Sequence, residues 1–215
     1  MSTLDNQTVI SLGRGLRLWQ DRRFFGFAED TAALAAMIGH CPTARRICEL
    51  GSGSGGLTLL LAMANPQAEC TGLELMPANT ALARRSLLLN AGIPGLRRRC
   101  HFIQGDLRRA GDILAPGTFD ILAANPPWQP RRTGRISPIP ERAAAKSEIF
   151  CTLAEVISAA ALLLRPGGDF FLILPQTRRG EAESLLQNTG FTIIRHTAHG
   201  TRLLWQARLD TGGEY

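Results

Sequence analysis

Asn125-Pro126-Pro127-Trp128 brings together four residues, none of which ionises. The two prolines set φ and remove two backbone donors. What remains is a preset array of carbonyls, one carboxamide and one indole. A planar exocyclic amine or amide is a poor nucleophile, because its lone pair is delocalised. Acceptors that hold its two N–H bonds favour a pyramidal nitrogen, and the Asn125 side-chain oxygen with the Pro126 carbonyl suits that task. Trp128 can stack on a planar base. A site of this kind works by positioning and electrostatics, not by a titrating base. The plainer reading of the same residues is a rigid turn beside a core tryptophan.

A second set precedes it. Glu49-Leu50-Gly51-Ser52-Gly53-Ser54-Gly55-Gly56 follows an apolar run and leads into a helical pattern. Glycine lets a backbone turn sharply and approach a ligand closely, and the helix start offers free N–H groups. Gly51, Gly53 and Gly56 also satisfy GxGxxG, so the loop alone fits a nicotinamide dinucleotide as well as S-adenosylmethionine. Glu49 separates the two: an acid before the first glycine would repel a pyrophosphate but suit a ligand carrying a sulfonium and an ammonium. Glu74 stands where a ribose-binding carboxylate is expected. Asp106 could accept from an adenine amino group, or could simply cap the helix that starts at Leu107. The expected cofactor contacts are Glu49, Gly51, Ser52, Gly53 and Gly55 from the loop, Glu74 and Leu75 after the next strand, Asp106 and Leu107 after the third, and Asn125. No metal site is expected.

Both sets need a frame. Apolar runs at Arg46–Leu50, Glu69–Leu75, His101–Gly105, Phe119–Ala124, Asp169–Leu174, Phe191–Arg195 and Leu203–Ala207 read as strands. Helical spacing fills Leu57–Ala64, Pro77–Asn90, Leu107–Leu114, Ala143–Leu164 and Arg179–Thr189. Such alternation predicts an α/β fold: a Rossmann-like, doubly wound seven-stranded sheet, mostly parallel. Pro166-Gly167-Gly168 should stop a helix and turn the chain into a strand. His199-Gly200-Thr201 is too short for a crossover helix, which predicts a C-terminal antiparallel hairpin. The expected division is 1–44, an N-terminal extension and first helix, and 45–210, the catalytic domain.

The 215 residues carry a net charge of +6, almost all of it from arginine; Lys146 is the one lysine. A basic balance raises the case for a polyanionic partner, although the clusters also read as solvated faces. Arg131, Arg132, Arg135 and Arg142 follow the tetrapeptide and are candidates for phosphate contacts. Five cysteines without a CxxC pair argue against a disulfide framework and for a reducing cytoplasm. Cys48, Cys70 and Cys100 read as small buried hydrophobes. The N-terminus has no basic-then-apolar signal pattern, and the longest apolar stretch, Val156–Leu164, is too short to cross a bilayer. No membrane association is expected, and oligomeric state is not legible. His40, His101, His196 and His199 are scattered and receive no role.

From Arg45 to Arg208 these residues resemble the class I S-adenosylmethionine-dependent methyltransferases, and among them the bacterial tRNA adenine-N6 methyltransferases. Beyond the tetrapeptide, Gly15–Gln20 and Phe25–Thr31 resemble that family's opening segment, Pro140-Glu141-Arg142-Ala143 its Pro-Glu-Arg, and Leu164–Gly168 with Ile173-Leu174-Pro175 its later strand. The resemblance implies cofactor contacts at Glu49, Gly51, Gly53, Glu74, Asp106 and Asn125. It implies target-base contacts at Asn125, Pro126, Pro127 and Trp128, with Phe27, Arg131, Arg132 and Arg142 on the acceptor side. S-adenosylhomocysteine would be the product, and RNA, tRNA foremost, the partner. Two positions depart: Trp128 where Tyr or Phe is usual, and Asp30-Thr31 where Asp-Ala is usual. A guanine amino group of ribosomal RNA and a protein glutamine amide are the alternative acceptors. The short stretch before the loop disfavours the glutamine enzymes, which carry a helical N-terminal domain, and leaves no room for the extra domain of DNA adenine enzymes. A nicotinamide oxidoreductase would need a Tyr-Lys, Cys or His set, and no such set is found.

Overall fold

The computed structural model describes residues 6–24, 26–126 and 151–212. Seven strands form one sheet: β3 (Arg46–Leu50), β4 (Glu69–Glu74), β5 (Cys100–Gln104), β6 (Phe119–Ala124), β7 (Leu164–Pro175), β8 (Phe191–His199) and β9 (Arg202–Leu209). Their order is β5-β4-β3-β6-β7-β9-β8. Pairing is parallel from β5 to β7, and β9 runs antiparallel to both β7 and β8. The expected sheet and its closing hairpin are both present.

Side chains alternate across the sheet, which is why both faces are apolar. Cys48, Leu50, Leu122, Phe170 and Leu172 pack under α6 (Leu153–Leu163) and α7 (Arg179–Asn188). Ile47, Ile121, Phe171 and Ile173 face the opposite way. They meet α1 (Glu29–Ile38) and α2 (Gly56–Ala64), with α3 (Pro77–Leu89) and the single turn α4 (Leu96–Arg99) flanking β4 and β5. Cys48, Cys70 and Cys100 are buried and unbridged within these layers.

Three local features differ from the sequence reading. A two-stranded hairpin, β1 (Gln7–Gly13) and β2 (Leu16–Asp21), precedes α1. Its inward Leu16 and Leu18 are fully buried, and β2 is docked along α3. There Arg17 N–H donates to Asn90 Oδ1 at 2.9 Å and Trp19 N–H donates to Ser86 Oγ at 2.9 Å. β7 begins at Leu164, before Pro166-Gly167-Gly168 rather than after it. The ladder jumps from Phe119↔Leu164 to Ile121↔Asp169, so the Pro-Gly-Gly segment forms an irregularity within the strand. The span expected as a helix at Leu107–Leu114 is a 3₁₀ turn, Leu107–Arg109, followed by one helical turn, α5 (Ala110–Ile113). The helix expected from Ala143 is described from Leu153, where Thr152 and Glu155 form a capping box; residues 143–150 lie outside the described part. Among the described residues no helix is long and apolar enough to cross a membrane.

Candidate active site

The strand order reverses between β3 and β6, since the chain winds outward from β3 to β5 and then returns to the other side. In open α/β sheets the crevice at such a switch, beyond the carboxyl ends of the strands, is where ligands bind. Parallel register aligns those ends: Leu50 pairs with Leu73 on one side and Ala124 on the other, and Glu74 pairs with Gln104. The loops after β3, β4, β5 and β6 therefore open on one cavity. Glu49, Gly51, Ser52, Gly53, Glu74, Leu75, Asp106, Leu107, Asn125 and Pro126 all line it, together with Gly26, Phe27, Thr31 and Asn79.

The glycine loop is tied down before it turns. Gly51 N–H and Ser52 N–H donate to the Leu73 carbonyl at 2.8 and 3.1 Å. Gly55 caps α2 with φ +90°, and a Cβ there would sit 2.6 Å from the Phe102 ring, so no larger residue fits. Gly55 is thus packed behind the loop and is not among the lining residues. The Ser52 hydroxyl is buried with no partner among the described residues, an open valence in the cavity wall.

The two acids are held differently. Glu74 Oε2 accepts from Gly53 N–H at 2.8 Å, and Oε1 accepts from Met76 N–H at 2.9 Å and from the Asn79 amide at 3.4 Å. Burial raises its pKa, and these bonds oppose the rise. Glu49 is 4% exposed. Its Oε2 accepts from Thr58 N–H at 2.8 Å and from the Thr58 hydroxyl, and neither bond engages Oε1. Burial pushes this carboxyl up to about 8, against the pull of Thr58. A cation in the cavity would restore its charged form.

Asp106 caps the turn after β5, the structural role foreseen for it. Its Oδ1 accepts from Arg108 N–H at 3.0 Å, capping the 3₁₀ turn, and the Arg108 guanidinium holds its pKa below the usual carboxylate range. It also lines the cavity. Phe27 lies against the start of α2, where a Cβ on Gly56 would come within 2.5 Å of its ring. Asn125 leaves the end of β6 with its amide Nδ2 donating to Thr31 Oγ1 at 3.0 Å. Pro127, Trp128, Arg131, Arg132 and Arg142 lie outside the described residues.

Thr31 and Asn79 have no place among the expected site residues. Asn79 carried a signal, a polar residue in the first turn after Glu74 that ends up 8% exposed. Thr31 carried none beyond its departure from Asp-Ala, because its contact with Asn125 spans 94 positions.

Several known proteins are similar to this chain. A tRNA1(Val) (adenine(37)-N6)-methyltransferase of Porphyromonas gingivalis is 27% identical over 77% of this chain and 61% of its own length. A release factor glutamine methyltransferase of Deinococcus radiodurans is 32% identical over 68% of this chain and 51% of its own. The chain thus spans between half and two thirds of these relatives. Among solved structures, M. jannaschii TYW2 in complex with AdoMet aligns with a TM-score of 0.64 at 12% identity, over 95% of this chain and 86% of that one, a likeness of fold. Residues 43–207 match the family described as "Methyltransferase domain", and with a matching fold and a cavity at its switch point the chain belongs to that family.

Proposed function

We propose that this chain transfers a methyl group from S-adenosylmethionine to an exocyclic amino nitrogen, that of an adenine in tRNA, with S-adenosylhomocysteine as the other product. One observation carries the reading: the Asn125 carboxamide opens on the same cavity as the buried Glu49 and Glu74. When bound, S-adenosylmethionine supplies a methyl already activated by its sulfonium. Glu49 Oε1 is assigned to the ammonium of that ligand, Glu74 to its ribose hydroxyls, and Leu75, Asp106 and Leu107 to its adenine. The unpartnered Ser52 hydroxyl gives the ligand a further polar contact. Gly51 and Gly53 keep the loop close, with Gly55 holding the turn. Asn125 Oδ1 and the Pro126 carbonyl receive the N–H bonds of the acceptor, Pro127 stiffens the segment, Trp128 stacks on the base, and Phe27 forms an apolar wall.

The acceptor chemistry is supported by the names of the relatives. One is named for adenine N6 and one for glutamine, whose side chain is a primary amide. Both nitrogens are planar with delocalised lone pairs, the case that Asn125 and Pro126 suit. The net charge of +6 favours the polyanion, with Arg131, Arg132 and Arg142 as phosphate contacts, acting in the cytoplasm. In this reading residues 45–210 form the methyltransferase domain, and 1–44 an extension that supplies Phe27. A release factor glutamine is the second reading, favoured by the 32% identity of that relative.

Labelled S-adenosylmethionine offered against tRNA, ribosomal RNA, release factor and DNA tests the proposal. Label is expected in tRNA, and Asn125→Ala is expected to lower turnover by about a hundredfold or more, as loss of one preorganised polar group does elsewhere. Label in release factor moves the acceptor to an amide, and label in ribosomal RNA moves it to the guanine alternative. Full turnover by Asn125→Ala removes Asn125 from the mechanism.

A further inference from the structure

A carboxamide that must present its oxygen to an amine has a mirror problem. Rotation of its terminal bond by half a turn exchanges oxygen for NH2. An NH2 group facing the acceptor would oppose the N–H bonds it is meant to hold. Something has to engage the amide from behind. Pro126, next in the chain, has no N–H with which to do so. Among the described residues the Asn125 amide Nδ2 donates to one side chain, Thr31 Oγ1 at 3.0 Å. Thr31 is half-buried and lines the same cavity.

Thr31 stands on a fixed platform. It belongs to the first turn of α1, which packs on β7 and β9. Its neighbour Asp30 lies 3.5 Å from Arg202 Nε and 3.8 Å from His199 Nε2, at the turn between β8 and β9. The start of α1 is thereby fastened to the carboxyl edge of the sheet, the edge from which Asn125 emerges. In the arrangement seen, the Thr31 hydroxyl accepts from Asn125 Nδ2, and Oδ1 is the end of the carboxamide that Thr31 does not engage.

We propose that Thr31 is a positioning residue for methyl transfer: its hydroxyl accepts from the Asn125 amide and keeps Asn125 Oδ1 facing the acceptor nitrogen. The inference rests on the reading of Asn125 as an acceptor-binding group. Thr31 does not touch the reacting atoms. It acts through Asn125, and an alanine at this position would not supply the bond.

Thr31→Val keeps the shape and deletes the hydroxyl, and Thr31→Ser keeps the hydroxyl and deletes the methyl. The full chain is assayed with S-adenosylmethionine and unmodified tRNA. Thr31→Val is expected to lose kcat by about tenfold, the scale of one hydrogen bond, with KM for S-adenosylmethionine unchanged. Thr31→Ser is expected to stay within about twofold of the native rate. A structural role would follow shape instead, leaving Val active and Ser impaired, and that result, or equal losses in both, overturns the proposal. Asn125→Ala is run beside them: a dead Asn125→Ala with a fully active Thr31→Val refutes Thr31 alone, whereas an active Asn125→Ala refutes the underlying reading. A measurement on the native chain needs no folded variant. The side-chain amide protons of Asn125 in a ¹⁵N-labelled sample should exchange more slowly than those of asparagine in an unfolded peptide, and equal rates count against the bond.

Discussion

Glu49 carries the plainest pH signature at the scale of single residues. Burial raises its carboxyl from about 4.5 to about 8 in the folded chain. The folded state therefore keeps a proton that the unfolded state releases between those values. The stability due to this residue is greatest below about 4.5 and falls as pH rises towards about 8. Thermal unfolding of the ligand-free protein across that window should show a decline that Glu49→Gln removes, and parallel curves for the two proteins would refute it. Binding an ammonium beside Glu49 should expel the proton. Calorimetry of S-adenosylmethionine binding near pH 7, in buffers of different ionisation enthalpy, should detect proton release in the native protein and less in Glu49→Gln. Identical release would take Glu49 away from the ammonium. Its place before Gly51 marked Glu49 in the sequence as a candidate cofactor contact, and it lines the cavity. Its raised pKa was not legible there, since that depends on the depth of burial in the folded chain.

At the scale of elements, the hairpin β1–β2 is the main addition to what the sequence conveys. The signal was there in Leu16 and Leu18 alternating with Arg17 and Trp19, after the turn Gly13-Arg14-Gly15 in which all three residues have positive φ. A lone hairpin is marginal in water, so its existence rests on docking to α3. Asn90 is central to that docking. It accepts from Arg17 N–H, donates to the Arg17 carbonyl at 2.6 Å and is 3% exposed. Asn90→Ala leaves these backbone groups without partners and should cost about 1–3 kcal/mol. Chemical denaturation reads the loss, and amide exchange at Arg17 and Trp19 should quicken; an unchanged midpoint would mean that Leu16 and Leu18 suffice. The Pro166-Gly167-Gly168 segment was misplaced for a related reason. Its residues look like a stop, but pairing of Leu164 with Phe119 draws the preceding residue into the sheet. Tertiary pairing outranked local preference there, as it did in shortening Leu107–Leu114.

At the scale of the whole molecule, the excess of arginine and the basic residues that follow the tetrapeptide in sequence favour the RNA acceptor of the proposed function. If Arg131, Arg132 and Arg142 bind phosphates, replacing all three with alanine should weaken tRNA binding and reduce the slope of log K against log salt by about 2. A lower affinity at unchanged slope would assign them a role other than phosphate contact. The sequence by itself determined the class of fold, the glycine loop and the acids at or near the ends of successive strands, and it singled out Asn125-Pro126 as a candidate site. Each is a local pattern, written in periodicity or in spacing within one strand–loop–helix unit. Only the tertiary structure decided which of these loops share a cavity, because that depends on the order and register of β3 to β6. It alone paired Asn125 with Thr31 across 94 positions and Arg17 with Asn90 across 73. Such contacts are set by how helices lie across the finished sheet, and no stretch of neighbouring residues encodes them.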